Sequence, residues 1–282
     1  VKALQSAGIP ETIKTVNDLG ITTIDSNKSP GLAMSLGSEV VPLTEMTDAY
    51  ATFANAGKHN DITLYTSITD KNNKTIYSYK PQNKQVISEQ TSYILSSMLS
   101  DNVARADTFG SSLTLSGSRP AAVKTGTTED YRDALTIGYT PSVTVGVWIG
   151  NNDNSPMSRV AGSAGAAPIW RSVMNQVLSG TPKEQFTVPG AITQRLICRS
   201  SGALASYSGS GTMTEYFRPG TLPTATCNKP AQAPTPVQVT PTPTPVTPTP
   251  SEPTTGTGSG DGNDNGDTTP PTPVTPPQGG NQ

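Results

Sequence analysis

The chain has 282 residues, a formal charge of −2 and an apolar fraction of 33%, against roughly 45–50% for an average globular chain. Lysines and arginines are scattered without forming a stripe, which argues against a nucleic-acid partner. No apolar run approaches the length of a membrane span, about 18 residues, and no His/Cys cluster has metal-ligand spacing, so no cofactor and no metal are expected.

In chain order, residues 10–19 predict a helix with Pro10 in its first turn, Ile13, Val16 and Leu19 on one face and Gly20 as its stop. Residues 21–37 read as a polar loop with a turn signal at Ser29-Pro30-Gly31. Leu43, Met46, Tyr50 and Phe53 recur at helical spacing and predict a second helix, closed by Gly57. His59 is the only histidine and is expected to be a solvated loop residue, which leaves little basis for a Ser-His-Asp triad. Residues 62–81 alternate about Asp70-Lys71-Asn72-Asn73 and predict a β-hairpin. Ser88 is placed to cap a helix that buries Ile94, Leu95, Met98 and Leu99. It ends in Ser100-Asp101-Asn102, letters expected to mark a helix C-terminus and not a catalytic motif.

Residues 120–151 read PAAVKTGTTEDYRDALTIGYTPSVTVGVWIGN. From Asp133 to Thr140 the pattern puts Leu135, Ile137 and Tyr139 on one face and Ala134, Thr136 and Gly138 on the other. After Pro141-Ser142, Val143, Val145, Val147 and Ile149 alternate with Thr144, Gly146 and Trp148, so a three-strand antiparallel meander is predicted with Lys124 on its first strand. On that strand Thr125 and Thr127 share a side, so their hydroxyls can converge on one bound group. Gly126 lets another backbone approach, and Lys124 adds a positive charge. A cation, hydroxyl donors and a backbone N–H are what acyl transfer on a peptide with a free carboxylate needs.

The last strong helix is predicted near Pro168, with Ile169, Trp170, Val173, Met174, Val177 and Leu178 as a stripe that packs on the meander. Cys198 and Cys227 flank a Gly/Ser-rich segment. A disulfide there suits an extracytoplasmic compartment, and two free buried thiols are the other reading. Residues 231–282 contain no lysine, arginine or aromatic residue and alternate Pro and Thr before a Gly-rich stretch, so they are expected to be disordered. An inert spacer is one use for them, and a wall-spanning or O-glycosylated stalk another. The organisation expected is residues 1–185 as a main domain part, 186–230 as a small Cys-containing segment and 231–282 as the tail.

Lys-Thr-Gly is one of three motifs, with SxxK and SDN, shared by class A β-lactamases and penicillin-binding proteins. The runs KTGTTEDYRDALTIGYTP, GVWIGNND and GSAGAAPIW resemble the C-terminal half of the transpeptidase domain of class A penicillin-binding proteins. SLGSEVVPLTEMTDAYATFANAG and RADTFGSS resemble earlier parts of the same domain, and TEYFRPGTLPTATC is similar to a small segment that follows it, so the resemblance spans roughly residues 1–228. It implies an α+β fold, an antiparallel sheet flanked by helices and incomplete here. The implied reaction is acyl transfer from D-Ala-D-Ala stem peptides of peptidoglycan through a serine acyl-enzyme, with β-lactams as further partners. It implies that Lys124 orients the carboxylate and assists proton transfer, that Thr125 and Thr127 bind that carboxylate, and that the N–H of Thr127 forms half of an oxyanion hole. Thr128, Tyr131 and Asp133 match residues that line or shape the end of the strand, and the resemblance counts Gly126 and Thr128 with Thr125 and Thr127 among the substrate-binding residues.

One departure is an absence: no lysine of this chain has serine three residues before it, so there is no SxxK. The opening VKALQSAG resembles the helix that begins just after SxN. The chain is therefore expected to be a truncation that starts mid-domain, with the nucleophile outside it. Membrane attachment would also lie in a segment outside it, and the location implied is the extracytoplasmic face of the bacterial plasma membrane. Two other classes stay open, a non-catalytic wall-associated binding protein and a β-lactamase-like hydrolase.

Overall fold

A computed structural model describes residues 1–24 and 30–229; Ser29 of the expected turn and the expected disordered tail lie outside the described residues. The chain opens with helices α1 (Lys2–Ala7) and α2 (Ile9–Asp18), separated by Gly8 at φ 87°, with Pro10 in the first turn of α2. Gly20 has φ 95°, where a side chain is strained, and the chain turns there. Ile13, Leu19, Ile21 and Ile24 are buried with Ala49 of helix α3 (Leu43–Ala54). Glu45 fastens this junction: its carboxylate accepts from the backbone N–H and hydroxyl groups of both Thr22 and Thr23 at 3.0–3.3 Å.

After α3, Gly57 at φ 83° reverses the chain into strand β1 (Lys58–His59), which pairs with β4 (Lys84–Gln85). The return lays His59 along α3. Its Nε2 lies 2.8 Å from Asp48 Oδ2, with both side chains 15% exposed, so His59 is an enclosed partner of Asp48 and not the solvated loop residue expected. Gly20 makes room, since a Cβ there would sit 2.8 Å from His59 Nε2.

Between β1 and β4 stands a hairpin of β2 (Ser67–Thr69) and β3 (Thr75–Ser78), exposed throughout and shorter than residues 62–81. Its turn is closed by Asp70, whose Oδ1 accepts from the N–H groups of Asn72 and Lys74 at 2.8 and 2.9 Å.

Helix α4 (Glu89–Ser100) is capped by Ser88, which accepts from Thr91 N–H at 3.2 Å. Its buried face is Ser92 and Ser96, while Met98 is 62% exposed. The expected apolar stripe is thus rotated outward. Small side chains let α4 lie close to the sheet, where Ser96 Oγ and the Tyr139 hydroxyl are 2.9 Å apart. A short helix, α5 (Ala106–Phe109), leads toward the central sheet.

That sheet has the order β5-β6-β7, antiparallel throughout: β5 (Ala122–Thr127), β6 (Asp133–Tyr139) and β7 (Thr144–Gly150). Val123, Val145 and Val147 face helix α6 (Ala166–Val177), where Ala167, Trp170 and Met174 are wholly buried beside Leu113 and Leu115. Tyr139 faces the other way, edge-on to Tyr50 of α3. α6 begins before Pro168, and only part of its predicted stripe is inside. Ile169, Val173 and Val177 are 39–51% exposed because they lie a third of a turn away from the Trp170–Met174 line. Arg119 closes the far end of α6 by donating to the carbonyls of Leu178, Thr181 and Pro182.

A second sheet follows, with order β10-β8-β9-β11: β8 (Thr193–Cys198), β9 (Leu204–Ala205), β10 (Thr212–Phe217) and β11 (Thr226–Cys227). β11 runs parallel to the two-residue β9, and the Cys198–Cys227 disulfide spans β9 from the end of β8. Tyr216 of β10 meets Tyr93 of α4 edge-on at 5.1 Å, which seats this sheet on α4. Among the described residues no helix is long and apolar enough to cross a membrane.

Candidate active site

Strand β5 changes character along its length: Ala122 and Val123 are buried, whereas Lys124 and Thr127 are exposed and Thr125 and Gly126 lie between. It is also an edge strand, since among the described residues only β6 pairs with it. Thr128 N–H donates to Asp133 O at 3.0 Å, so the register fixes which backbone groups face β6. Those of Ala122, Lys124, Gly126 and Thr128 do. By alternation the N–H and C=O of Thr125 and Thr127 face the free edge.

Side chains alternate too. Lys124 and Gly126 share the face of Tyr139, and Thr125 and Thr127 share the face of Val123 and α6. The lysine and the two threonines therefore start from opposite faces of the strand. Lys124 Nζ curls over to donate to Thr125 O at 2.5 Å. Thr125 Oγ1 makes no hydrogen bond among the described residues. The result is one ammonium, two hydroxyls and two outward N–H groups along about two residues of strand, an arrangement suited to hold a carboxylate and to donate to an oxyanion.

The end of this strand is braced on both faces. On the Lys124 face, Thr128 Oγ1 accepts from Asp133 N–H at 2.7 Å and donates to Asp133 Oδ2 at 3.1 Å, while Trp148 Nε1 donates to Asp133 Oδ1 at 2.8 Å. The Thr128 hydroxyl is thus engaged within the turn. On the other face Gly162 N–H donates to Thr127 Oγ1 at 3.0 Å, and the buried Thr136 hydroxyl donates to Gly162 O at 3.2 Å. Between the strands, Asp130 and Tyr131 both have φ near +55°, a conformation costing about 1–3 kcal/mol each for side-chain-bearing residues. Met157 N–H donates to Tyr131 O at 3.0 Å and Arg132 Nη1 donates to Asn154 O, so the segment after β7 holds this strained turn in place.

The Ser100-Asp101-Asn102 letters have a local use. Asp101 Oδ1 accepts from the N–H groups of Val103 and Ala104, and Asn102 Oδ1 accepts from Arg105 and Thr114. Arg105 in turn donates to the carbonyls of Leu99, Leu113 and Ala121, and its burial lowers its pKa from the usual range. Among the described residues no group of three or more His, Cys, Asp or Glu is arranged to hold a metal. Gly162 and Thr136 escaped sequence reading as site residues. The small-residue run from Gly162 to Ala167 was the signal available for Gly162, and its meaning depends on the strand it lies against.

The model of the penicillin-binding protein transpeptidase domain matches residues 8–175, and that of the penicillin-binding protein 1A C-terminal domain matches residues 188–231. Penicillin-binding protein 2D of Bacillus subtilis (strain 168) is 31% identical over 232 residues, covering 80% of this chain and 33% of that protein. Penicillin-binding protein 1A from Haemophilus influenzae has a similar fold, with TM-score 0.69 and 24% identity over 80% of this chain and 39% of that one. The PonA1 protein from Mycobacterium tuberculosis, solved in complex with penicillin V, gives TM-score 0.55 and 24% identity over 61% of this chain and 50% of that one. The chain spans about a third of the length of the curated relatives it matches. With more than half of its residues matched by one domain model, the chain belongs to the penicillin-binding protein transpeptidase family.

Proposed function

We propose that this chain supplies the carboxylate-binding and oxyanion half of a peptidoglycan D,D-transpeptidase, whose nucleophilic serine lies in a part of the protein outside these residues. The observation that carries the reading is the free edge of β5, which bears Lys124, Thr125 and Thr127 with Lys124 Nζ folded onto Thr125 O. In this reading the terminal carboxylate of a D-Ala-D-Ala stem peptide sits between Lys124 and the two hydroxyls. Serine attack on the penultimate carbonyl develops an oxyanion that the Thr127 N–H stabilises, the terminal D-alanine leaves, and an amine of a second peptide takes the acyl group. Penicillins carry a carboxylate and a reactive carbonyl at comparable spacing and would acylate the same serine. The complex of PonA1 with penicillin V supports that partner class by analogy of fold.

Gly126 fits this role. Its Cβ would meet only Leu135, at 3.5 Å, so no internal clash demands glycine there, and the demand comes from what approaches the edge. The disulfide and the family together favour action in the cell envelope on its extracytoplasmic side. Residues 1–185 form the catalytic-domain part in this account and 186–230 a small module seated on it. The absence of SxxK also fits a wall-binding protein that uses the same edge without catalysis.

The test is covalent labelling by a fluorescent penicillin of the full-length protein, its Lys124→Ala variant and this chain alone. Stable labelling of the full-length protein, slowed at least 100-fold in Lys124→Ala, about the loss from one oxyanion donor, and absent in this chain, supports the transpeptidase reading. No labelling of a demonstrably folded full-length protein leaves the wall-binding reading, and rapid turnover of the penicillin would identify a hydrolase.

A further inference from the structure

We infer that Thr136, a wholly buried residue of β6, is a positioning residue that acts through Gly162 to aim the hydroxyl proton of Thr127 at the bound carboxylate. The inference rests on the reading that Thr127 holds that carboxylate.

A threonine hydroxyl has one proton to donate and two lone pairs that accept. Thr127 Oγ1 accepts from Gly162 N–H at 3.0 Å. With that lone pair facing an amide proton, the hydroxyl cannot turn its own proton toward Gly162, and the proton is left for the exposed side. The amide thus converts a freely rotating hydroxyl into an oriented donor, which matters because a preorganised donor costs no reorganisation when the ligand arrives. Gly162 is held in turn from its other end. Its carbonyl accepts from the Thr136 hydroxyl at 3.2 Å and from Ala167 N–H, in the first turn of α6, at 2.9 Å. It also lies flat on the sheet, where a Cβ would come within 2.5 Å of both Gly126 O and Leu135 O, so no other residue fits without moving the loop off the strand. Gly126 and Leu135 are register partners, and Thr136 is paired with Thr125. The brace therefore sits directly behind the two hydroxyls.

Thr136 has no exposed surface, its neighbours along β6 on that face, Ala134 and Gly138, carry no hydrogen-bonding side chain, and its hydroxyl bonds to Gly162 O rather than to its cross-strand neighbour Thr125. A buried hydroxyl is retained at some cost unless satisfied. Here its partner is the one residue that orients Thr127.

The experiment measures acylation of the full-length protein by a penicillin and by its methyl ester, which lacks the carboxylate. Thr136→Val is expected to slow acylation by the acid about three- to tenfold, the scale of one modest hydrogen bond, and to leave the ester rate unchanged. Thr136→Ser restores the acid rate. In a Thr127→Val background the further change Thr136→Val has no effect on the acid rate, since the two act in series. Equal slowing of acid and ester, or a Thr136→Val effect that persists in the Thr127→Val background, would show a purely structural role and overturn the inference while leaving the Thr127 reading intact. If Thr127→Val itself costs nothing with the acid, the underlying reading fails and this inference with it. Should Thr136→Val not fold, Thr136→Ala, which also removes the hydroxyl, carries the same expectation, selective for the acid, and the same contradiction.

Discussion

The two halves of strand β5 do opposite work. Ala122 and Val123 are buried, Val123 in the core with Trp170 and Met174 and Ala122 on the opposite face, whereas Lys124 to Thr127 emerge toward solvent at an edge that no other strand among the described residues covers. One six-residue strand thus combines a base fixed in the core with an open tip. The flanking braces extend the rigidity to the tip itself, through Thr128, Asp133 and Trp148 on one face and Gly162 and Thr136 on the other.

Mutations should separate the halves. Trp170→Ala empties the core behind the base and is expected to cost about 3–5 kcal/mol of stability, read as a lowered urea midpoint; a loss under about 1 kcal/mol would mean the base is not supported from α6. Lys124→Ala is the mirror case. It should leave the unfolding midpoint within about 0.5 kcal/mol, as exposed substitutions do, while acylation falls by the large factor given above. A comparable loss of stability would show that the tip also holds the fold.

Smaller effects are expected away from the tip, at Tyr139 of β6 and Glu45 of α3. Burial, opposed by the Ser96 hydrogen bond, pushes the Tyr139 hydroxyl up to about 12 from its ordinary 10.0. The native state keeps this proton while the unfolded chain releases it, so the stability it contributes is full below pH 10 and is lost as the pH rises toward 12. Tyr139→Phe should cost about 1 kcal/mol at neutral pH, one net hydrogen bond, and flatten that alkaline limb in pH-dependent thermal melts. An unchanged limb would place the alkaline sensitivity elsewhere. The opposite sign applies at Glu45. Burial alone would raise its carboxyl, but the hydrogen bonds from Thr23 and Thr22 outweigh it and hold the pKa below 4.5. Its contribution is present above that value and lost as the pH falls through the lowered one. Glu45→Gln should therefore cost a few tenths to about 1 kcal/mol at neutral pH and less at acid pH, a difference that melts at pH 3 and pH 7 would reveal.

What could be read from the letters divides along the same physical line. The meander, the cap at Ser88 and the helices over α2 and α3 follow from local periodicity and turn chemistry, and all appear where Leu135, Ile137 and Tyr139, or Met46 and Phe53, put them. His59, Met98 and the face of α6 depended on which neighbour arrives from far along the chain. Ser92 and Ser96 were chosen over Met98 because the sheet comes close, and no periodicity reports that distance. The second sheet had no local signal either, since two of its strands are two residues long and a disulfide holds the outermost. At the site, the residues of the Lys-Thr-Gly triplet were visible, but the free edge of β5 and the hydrogen bonds of Gly162 to Thr127 and Thr136 depend on segments far apart in the chain.

The most direct test is a crystal structure of the full-length protein acylated by a penicillin. The account predicts the ligand carboxylate within hydrogen-bond reach of the Thr125 and Thr127 hydroxyls and of Lys124 Nζ, its carbonyl oxygen on the Thr127 N–H, and Gly162 N–H still on Thr127 Oγ1. A carboxylate bound away from the β5 edge, with Lys124 still folded onto the Thr125 carbonyl, would contradict it.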